Sequence, residues 1–268
     1  KLDEAISKGW ELLKKGQSSE IAVIETIKIL EDSPLFNAGK GSVFNNEGKV
    51  ENDASIMRGN DLNAGASSGT SNVKNPITLA ANIMNHSEHV FLSGKGAENF
   101  AKNRNLEIVN NEYFHTKFRY NQLLNKKGED KYGTVGCVAI DVNGNIVAGT
   151  STGGMTNKKW GRIGDSPIIG AGTYANNSTC GISSTGSGEY FIRTVAAYQV
   201  SSLLENHNYD LKKAMYKVIH EKIGGIGGDG GMIGIDKNSN ISMEFNTPGM
   251  YRAYVNKYGE KEIFLYEE

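Results

Sequence analysis

The sequence predicts an α+β fold, in which helices cover runs of antiparallel strands. Helical patterns lie on both sides of strand-rich stretches, and the strands follow one another in hairpin-like succession. The chain shows no regular alternation of single strands and helices, which is the pattern of βαβ units. A layered α+β sandwich therefore accounts best for the order of the elements.

The N-terminal half of the chain contains two helices and then mainly strands. Residues 2–15 place Leu and Ile on one helical face and Lys and Glu on the other, which predicts an amphipathic helix. Ser18 and Ser19 can cap a second helix, and Pro34 prevents its continuation. Further elements are predicted as strands at 50–57, 62–70 and 90–93 and as a helix at 76–85.

A polar segment separates this half from the rest of the chain. Residues 121–132 contain few apolar side chains, and we expect them to form an exposed linker. Directly after it, residues 134–142 predict a buried strand, Asn143-Gly144 a hairpin turn and residues 145–152 the returning strand. Further downstream, the patterns predict strands at 179–185, 232–236, 241–245 and 250–255 and helices at 187–204 and 210–222.

The composition favours a protein that binds a small polar molecule. The 268 residues carry 29 basic and 30 acidic side chains, which gives no electrostatic footprint for nucleic acid. No apolar run approaches the length of a membrane-spanning helix, so we expect no membrane insertion. The two cysteines, Cys137 and Cys180, provide neither a disulfide framework nor a metal site, and they favour a reducing, cytoplasmic location.

The junction between Gly133 and Thr134 is the most informative segment for chemistry. A threonine hydroxyl is a weak nucleophile unless a base lies beside it. If the chain breaks before Thr134, the new α-amino group can act as that base, since its ordinary pKa is about 7.7–8.0. The same hydroxyl could cause the break by attacking the Gly133 carbonyl. A β-branched residue at a strand start is the plain alternative for Thr134 taken alone.

Other polar residues could complete such a site. Thr152 ends the returning strand, so its hydroxyl can lie beside Thr134. Arg162 and Asp165 offer one cation and one anion that suit an amino-acid head group, although a surface salt bridge is an equal alternative. The segment 184–189, between a strand and a helix, could stabilise an oxyanion, or Ser187 could simply cap the helix.

Several ordered motifs resemble those of one enzyme family over essentially the whole chain. They are Leu35–Gly39, Gly133–Gly136, Thr150–Gly154, Gly161–Pro167, Gly170–Asn177 and Ser184–Glu189. Together they resemble the isoaspartyl peptidases and plant-type L-asparaginases, which are N-terminal nucleophile hydrolases. The segments 152–155 and 227–233 resemble this branch more than the glycosylasparaginases.

The resemblance implies a four-layer αββα sandwich and a single asparaginase-type domain over residues 1–268. It implies self-cleavage between Gly133 and Thr134 into an α subunit (residues 1–133) and a β subunit (residues 134–268). Two such αβ heterodimers would form a homodimeric assembly. Family members begin with a central strand that this sequence is expected to lack, since it begins at Lys1.

The resemblance also implies roles for individual residues. Thr134 would be the nucleophile, Thr152 its hydrogen-bonding neighbour, and Thr185 with the Gly186 amide the oxyanion hole. Arg162 would bind the substrate α-carboxylate, and Asp165 with the Gly188 carbonyl would bind the α-ammonium. No cofactor is implied for the chemistry. A structural sodium ion is implied, bound by the main-chain carbonyls of Leu30, Glu31, Ser33, Phe36, Ala38 and Lys40, since oxygen-only ligation suits a hard cation.

These features predict a hydrolase of β-aspartyl dipeptides and L-asparagine. A glycosylasparaginase, which acts on sugar-linked asparagine, is the alternative within the same superfamily. A catalytically silent sandwich that acts as a binding module is the alternative from another class, and the joint presence of Thr134, Thr152, Thr185, Arg162 and Asp165 argues against it.

Overall fold

The computed structural model describes residues 1–125 and 133–266. Helices α1 (Leu2–Lys14) and α2 (Ser19–Glu31) open the chain, and the Ser18 hydroxyl caps α2 by accepting the N–H of Ile21. The N-terminal half continues with β1 (Asn52–Arg58), β2 (Ala64–Thr70), α3 (Pro76–His86), β3 (Phe91–Ser93), α4 (Gly94–Asn103) and α5 (Lys117–Leu124).

The C-terminal half begins with the predicted hairpin, formed by β4 (Val135–Ile140) and β5 (Ile146–Thr152). Asp141 closes its turn, because the Oδ1 atom accepts the N–H groups of Asn143 and Asn145. The remaining elements are β6 (Thr173–Ala175), β7 (Cys180–Gly186), α6 (Gly188–Thr194), α7 (Ala196–His207), α8 (Leu211–Tyr216), a π-helical segment (Lys217–Ile223), β8 (Gly230–Asp236), β9 (Ile241–Phe245), β10 (Arg252–Val255) and β11 (Lys261–Phe264).

The strands of the described residues form a five-stranded sheet, a four-stranded sheet and a separate hairpin. The five-stranded sheet has the order β3-β2-β1-β5-β4, and it is antiparallel except where β2 pairs with β3. The four-stranded sheet, β6-β7-β8-β9, is antiparallel throughout, and β10 pairs with β11. The mixed, largely antiparallel arrangement confirms the predicted α+β class.

The two larger sheets face each other close to the start of β4. A Cβ atom at Gly136 in β4 would lie only 2.0 Å from the hydroxyl of Ser183 in β7. Two residues further along both strands, a Cβ atom at Gly181 in β7 would lie 2.7 Å from Cγ1 of Val138 in β4. Apolar side chains continue this contact between the sheets, among them Met57, Ile146, Ala148 and Ala175.

Helices pack on the outer faces of both sheets. On the five-stranded sheet, Val23 and Ile27 of α2 and Ile77 of α3 pack with Ile56 and Val135. On the four-stranded sheet, one cluster joins the helices α6, α7 and α8 to the strands β7 and β8 through Phe191, Val200, Met215, Ile182 and Met232. Burial of these apolar stripes against the sheets explains why the periodic segments form helices.

The predicted helix at 187–204 is wrong as a single element. It is divided into α6 and α7 at Val195, whose backbone is left-handed with φ 50° and ψ 50°. A β-branched residue has no local preference for this conformation, so the break reflects tertiary packing. The helix predicted at 210–222 begins as α8 but continues as the π-helical segment.

The prediction of an exposed linker at 121–132 is wrong for its first four residues. Residues 121–124 belong to helix α5, whose N-cap Thr116 accepts the N–H of Arg119. Residues 126–132 lie outside the described ranges of the chain. The elements α4, α5, β6 and β11 were not predicted, because they are short or weakly periodic.

Within the described ranges, no helix combines the length and the apolar character needed to cross a bilayer. Helices α1 and α2 contain 13 residues each. A bilayer-spanning helix needs about 20 predominantly apolar residues.

Candidate active site

Thr134 lies immediately before β4, beside the end of β5. The register of the hairpin pairs Val135 with Ser151, which places Thr134 next to Thr152. The Thr134 hydroxyl donates to Oγ1 of Thr152 at 3.0 Å, and the N–H of Gly154 donates to the same oxygen at 3.0 Å. The sheet ladder therefore brings together the two hydroxyls that were predicted to be neighbours.

Asn37 holds the residue before the candidate nucleophile. Its main-chain N–H donates to the Gly133 carbonyl oxygen at 2.8 Å. A Cβ atom at position 133 would lie 2.7 Å from the Cβ of Asn37, so this approach requires glycine. Asn37 also accepts the N–H of Gly153 at its carbonyl and donates its side-chain amide to the Gly154 carbonyl at 2.7 Å. Asn37 was not predicted as a site residue, because these partners are distant in sequence.

Thr185 lies across from Thr134 on the facing sheet. Gly136 faces Ser183, and side chains alternate along a strand. Thr134 and Thr185 each lie two residues further along, in opposite chain directions, and so at the same end of the two facing strands. The Thr185 hydroxyl is buried and has no hydrogen-bond partner among the described residues. It is available to a group that enters between the two threonines.

A chain of buried hydroxyls lies behind these threonines and links the two sheets. Thr150 Oγ1 and Ser183 Oγ are 2.7 Å apart, and the Thr173 hydroxyl donates to Thr150 Oγ1 at 2.6 Å. Ser55 lies 2.8 Å from Thr173 Oγ1 and 2.6 Å from the Ser166 carbonyl oxygen. These bonds connect the two sheets directly behind the site.

A small cavity of about 100 Å³ opens from the two hydroxyls of the β4–β5 hairpin. Most of its lining is polar or glycine: Thr134, Thr152, Gly154, Met155, Thr156, Arg162, Gly164, Asp165, Ser166, Gly186 and Ser187. Five of the expected site residues thus share one cavity, whereas Thr185 and Gly188 lie beside its lining. A second cavity, of about 350 Å³ between β4, β9, β10 and α1, has apolar walls and does not include Thr134.

Arg162 and Asp165 do not pair with each other, so the expected alternative of a salt bridge between them is wrong. Arg162 instead binds Glu189 through two bonds, Nε to Oε1 at 2.8 Å and Nη2 to Oε2 at 2.9 Å. This guanidinium lowers the pKa of Glu189. Glu189 belongs to one of the sequence motifs, but its role could not be predicted, because its partner lies 27 residues away.

Asp165 is a buried carboxylate in the wall of the cavity. Burial raises its pKa to about 7, while its own main-chain N–H and Arg162 counteract some of the rise, and Glu189 and Asp53 add to it. Its Oδ2 atom has no hydrogen-bond partner among the described residues. A buried acceptor without a donor is costly, so this oxygen favours a cationic or N–H ligand.

The segment after β7 fits closely against this pair. A Cβ atom at Gly188 would lie 2.8 Å from Asp165 Oδ1 and 3.0 Å from Arg162 Nη2, so only glycine fits. Ser187 occupies the N-cap position of α6, but its hydroxyl makes no capping bond and donates to Asp229 instead. Ser187 is therefore the N-cap residue of α6, as the sequence predicted, but its side chain makes no capping bond.

The loop at residues 30–40 has the donor set of a hard-cation site. Leu30 and Ala38 carbonyls accept long main-chain bonds of 3.2 and 3.4 Å. The other expected ligands accept no hydrogen bond from the described residues: the carbonyls of Glu31, Ser33, Phe36 and Lys40. The Glu31 side chain is also buried, with Oε2 unpartnered among the described residues. Main-chain carbonyl oxygens without a protein donor are suitable ligands for an oxygen-ligated cation.

One polar cavity with two threonine hydroxyls and a separated cation and anion defines a candidate active site for a small polar substrate. Comparison with known proteins gives the particular family. The asparaginase family model matches residues 1–265. The chain therefore belongs to the asparaginase family, and it is a hydrolase.

Individual relatives support this assignment over most of their length. Isoaspartyl peptidase from Escherichia coli (strain K12) is 46% identical, with 94% of this chain and 84% of that enzyme covered. Plant-type L-asparaginase from Pyrococcus furiosus is 41% identical, with 97% of this chain and 90% of the relative covered. Isoaspartyl peptidase/L-asparaginase from Xenopus laevis is 38% identical, with 94% and 84% covered.

Proposed function

We propose that this chain hydrolyses β-aspartyl dipeptides and L-asparagine with Thr134 as its nucleophile. The observation that carries the proposal is that the Thr134 hydroxyl shares one small cavity with Arg162 and Asp165. A substrate held there by its amino-acid head group would present its side-chain carbonyl to the hydroxyl. The names of the relatives, isoaspartyl peptidase and L-asparaginase, support the same activities.

Maturation begins with attack of the Thr134 hydroxyl on the Gly133 carbonyl carbon. The N–H of Asn37 already donates to that carbonyl oxygen at 2.8 Å, where negative charge would develop. The peptide C–N bond breaks, the amine takes the hydroxyl proton, and water then hydrolyses the resulting ester. The products are the α subunit, with a new carboxylate at Gly133, and the β subunit, with a free α-amino group at Thr134.

The matured Thr134 then acts on substrate with its own amino group as base. The amine takes the hydroxyl proton, and the oxygen attacks the side-chain carbonyl of the substrate. The Thr185 hydroxyl and the Gly186 N–H stabilise the oxyanion, and Thr152 orients the nucleophile. The leaving amine or ammonia receives the proton. Water hydrolyses the aspartyl ester, which releases L-aspartate and restores Thr134.

The head group determines the substrate class. Arg162 binds the free α-carboxylate, and the Asp165 carboxylate with the Gly188 carbonyl binds the α-ammonium. In an α-linked aspartyl peptide the α-carboxyl group of the aspartyl residue is in the peptide bond, so this residue cannot use both contacts. The alternative of a glycosylasparaginase uses the same head group, and the names of the relatives disfavour it. A silent binding module would not need the polar arrangement around Thr134.

Four further properties belong to this proposal. Sodium binds the 30–40 loop through the carbonyls named above and holds the loop that carries Asn37. The two facing sheets and their outer helices are the layers of an αββα sandwich of N-terminal nucleophile hydrolases. Two αβ heterodimers assemble into the mature enzyme. The two buried, unpaired thiols, Cys137 and Cys180, support a reducing, cytoplasmic location.

A parallel assay of four substrates tests the proposed function. The matured protein is incubated with β-Asp-Leu, L-asparagine, N-acetylglucosaminyl-asparagine and α-Asp-Leu, and aspartate release is measured. We expect β-Asp-Leu to be the best substrate, L-asparagine to be slower and α-Asp-Leu to be untouched. A preference for the glycosylated substrate would support the alternative, and inactivity on all four would exclude the proposal.

A further inference from the structure

The Arg162–Glu189 pair determines which edge of the guanidinium is available. Glu189 occupies the side edge, which consists of Nε and Nη2. The end edge, with Nη1 and the second hydrogen of Nη2, is left for another carboxylate. A guanidinium can bind two carboxylates at two edges because its five N–H donors have a fixed planar geometry. Arg162 also lines the cavity, so the substrate can reach this residue.

Arg162 has a competing partner close by. Asp165 Oδ1 and Arg162 Nη2 lie 2.8 and 3.0 Å from the same point, the position of a Cβ at Gly188. The Asp165 carboxylate is buried, and its Oδ2 has no partner among the described residues. An uncompensated buried carboxylate attracts a nearby cation strongly. Even so, the guanidinium bonds to Glu189 and not to Asp165.

We propose that Glu189 is a positioning residue that holds Arg162 away from Asp165. This inference rests on the proposed function, in which Arg162 binds the α-carboxylate of the substrate and Asp165 binds the α-ammonium. If the two side chains paired with each other, each would neutralise the other and the head-group site would close. Glu189 keeps the cation and the anion separate, so the site is preorganised for a zwitterion.

A purely stabilising ion pair is the competing explanation. The Glu189 side chain is 51% exposed and that of Arg162 is 19% exposed, and a salt bridge at a protein surface contributes little to stability. The two explanations differ in one respect. A stabilising pair would act independently of Asp165, whereas the effect of Glu189 on ligand binding should depend on Asp165.

A double-mutant cycle tests this dependence. The variants are Glu189→Gln, Asp165→Asn and the combination of the two, and the control is Glu205→Gln, an exposed glutamate on α7. The ligand is succinate, which offers a carboxylate to Arg162 but has no ammonium group for Asp165. Its binding to matured protein is measured by titration calorimetry. Intact-protein mass spectrometry checks that each variant has matured.

We expect Glu189→Gln to weaken succinate binding by about tenfold or more when Asp165 is present, the size of a lost charged hydrogen bond. In the Asp165→Asn background, the same change should alter binding by less than about threefold, because the carboxylate from which Glu189 separates Arg162 is then absent. Glu205→Gln should match wild type. With L-asparagine as substrate, Glu189→Gln should raise KM more than it lowers kcat, and Glu189→Asp should restore some of the loss.

Equal losses in both backgrounds, or a Glu189→Gln variant that binds like Glu205→Gln, would overturn the inference. The proposed function is tested separately by the wild-type protein. If the wild-type protein neither matures nor hydrolyses any of the four substrates, the proposed function is wrong. If the wild-type protein is active but the cycle shows no dependence on Asp165, only the proposed role of Glu189 is wrong.

Discussion

The main-chain N–H of Asn37 donates to the Gly133 carbonyl oxygen at 2.8 Å. This bond connects the loop that follows α2 to the residue immediately before Thr134, although 96 positions of sequence separate the two partners. In the proposed maturation, the Thr134 hydroxyl attacks this carbonyl, which already has a donor at its oxygen. The bond is therefore the structural basis for the first two predictions.

The first prediction concerns self-cleavage. Purified wild-type protein should separate into fragments 1–133 and 134–268 without added protease, as measured by denaturing mass spectrometry. Thr134→Ala should remain a single inactive chain because it lacks the hydroxyl, whereas Thr134→Ser should retain some cleavage. Well-folded wild-type protein that stays intact after long incubation would contradict the maturation step, and turnover by Thr134→Ala would remove Thr134 from the mechanism.

The second prediction concerns the close approach at the junction. Gly133→Ala would place a methyl group 2.7 Å from the Cβ of Asn37, so the carbonyl must move away from its donor. We expect cleavage to slow by at least tenfold, equivalent to about 1.4 kcal/mol in the barrier. Gly96→Ala is the control, since a Cβ there meets nothing within 4 Å. Equal cleavage rates in the two variants, measured by a time course of intact mass, would show that the contact is unimportant.

The third prediction separates substrate recognition from maturation. Arg162→Ala should lower kcat/KM for L-asparagine. The corresponding loss of transition-state stabilisation should be roughly 1.5–3 kcal/mol, the range for hydrogen bonds to charged groups. Cleavage at Gly133 should be largely preserved. The group attacked in that reaction is a main-chain carbonyl, and no substrate α-carboxylate has to be bound by Arg162. Steady-state kinetics and intact mass measure the two effects. A parallel loss of both activities would indicate a structural role for Arg162.

The fourth prediction concerns the pH dependence of stability through Asp165. Its folded-state pKa of about 7 lies above the unfolded value of 3.8. The folded state therefore binds more protons between these values, and the free energy of unfolding falls as pH rises from about 4 to about 7. Asp165→Asn should remove this decrease and be more stable than its parent at pH 8, by at most roughly 4 kcal/mol.

Urea denaturation between pH 4 and pH 8, in the uncleaved Thr134→Ala background, measures this difference. Glu205→Gln in the same background serves as the control, and we expect its pH dependence to follow that of the parent. A pH dependence of Asp165→Asn that matches the parent would mean that Asp165 is already ionised across this range in the folded protein.

The fold class could be predicted from the sequence because it depends on local patterns. The buried strand at 134–142, the Asn-Gly turn and the returning strand at 145–152 predicted the β4–β5 hairpin, and the structure contains it. The helix at 187–204 could not be predicted correctly. Its periodicity continues across Val195, whose left-handed backbone divides the helix. The residues on both sides, Phe191 and Ala196, pack in one cluster with β7 and the neighbouring helices.

The sequence by itself determined the chemical groups of the candidate site and their local spacing. It placed a threonine directly after glycine at 133–134, a second threonine at the end of the paired strand, and an arginine and aspartate three positions apart. Tertiary structure alone decided which groups meet. The facing of Thr134 and Thr185, the Asn37 contact and the choice of Glu189 by Arg162 join distant segments. Each depends on how two sheets and their loops pack, and short-range periodicity carries no information about such contacts.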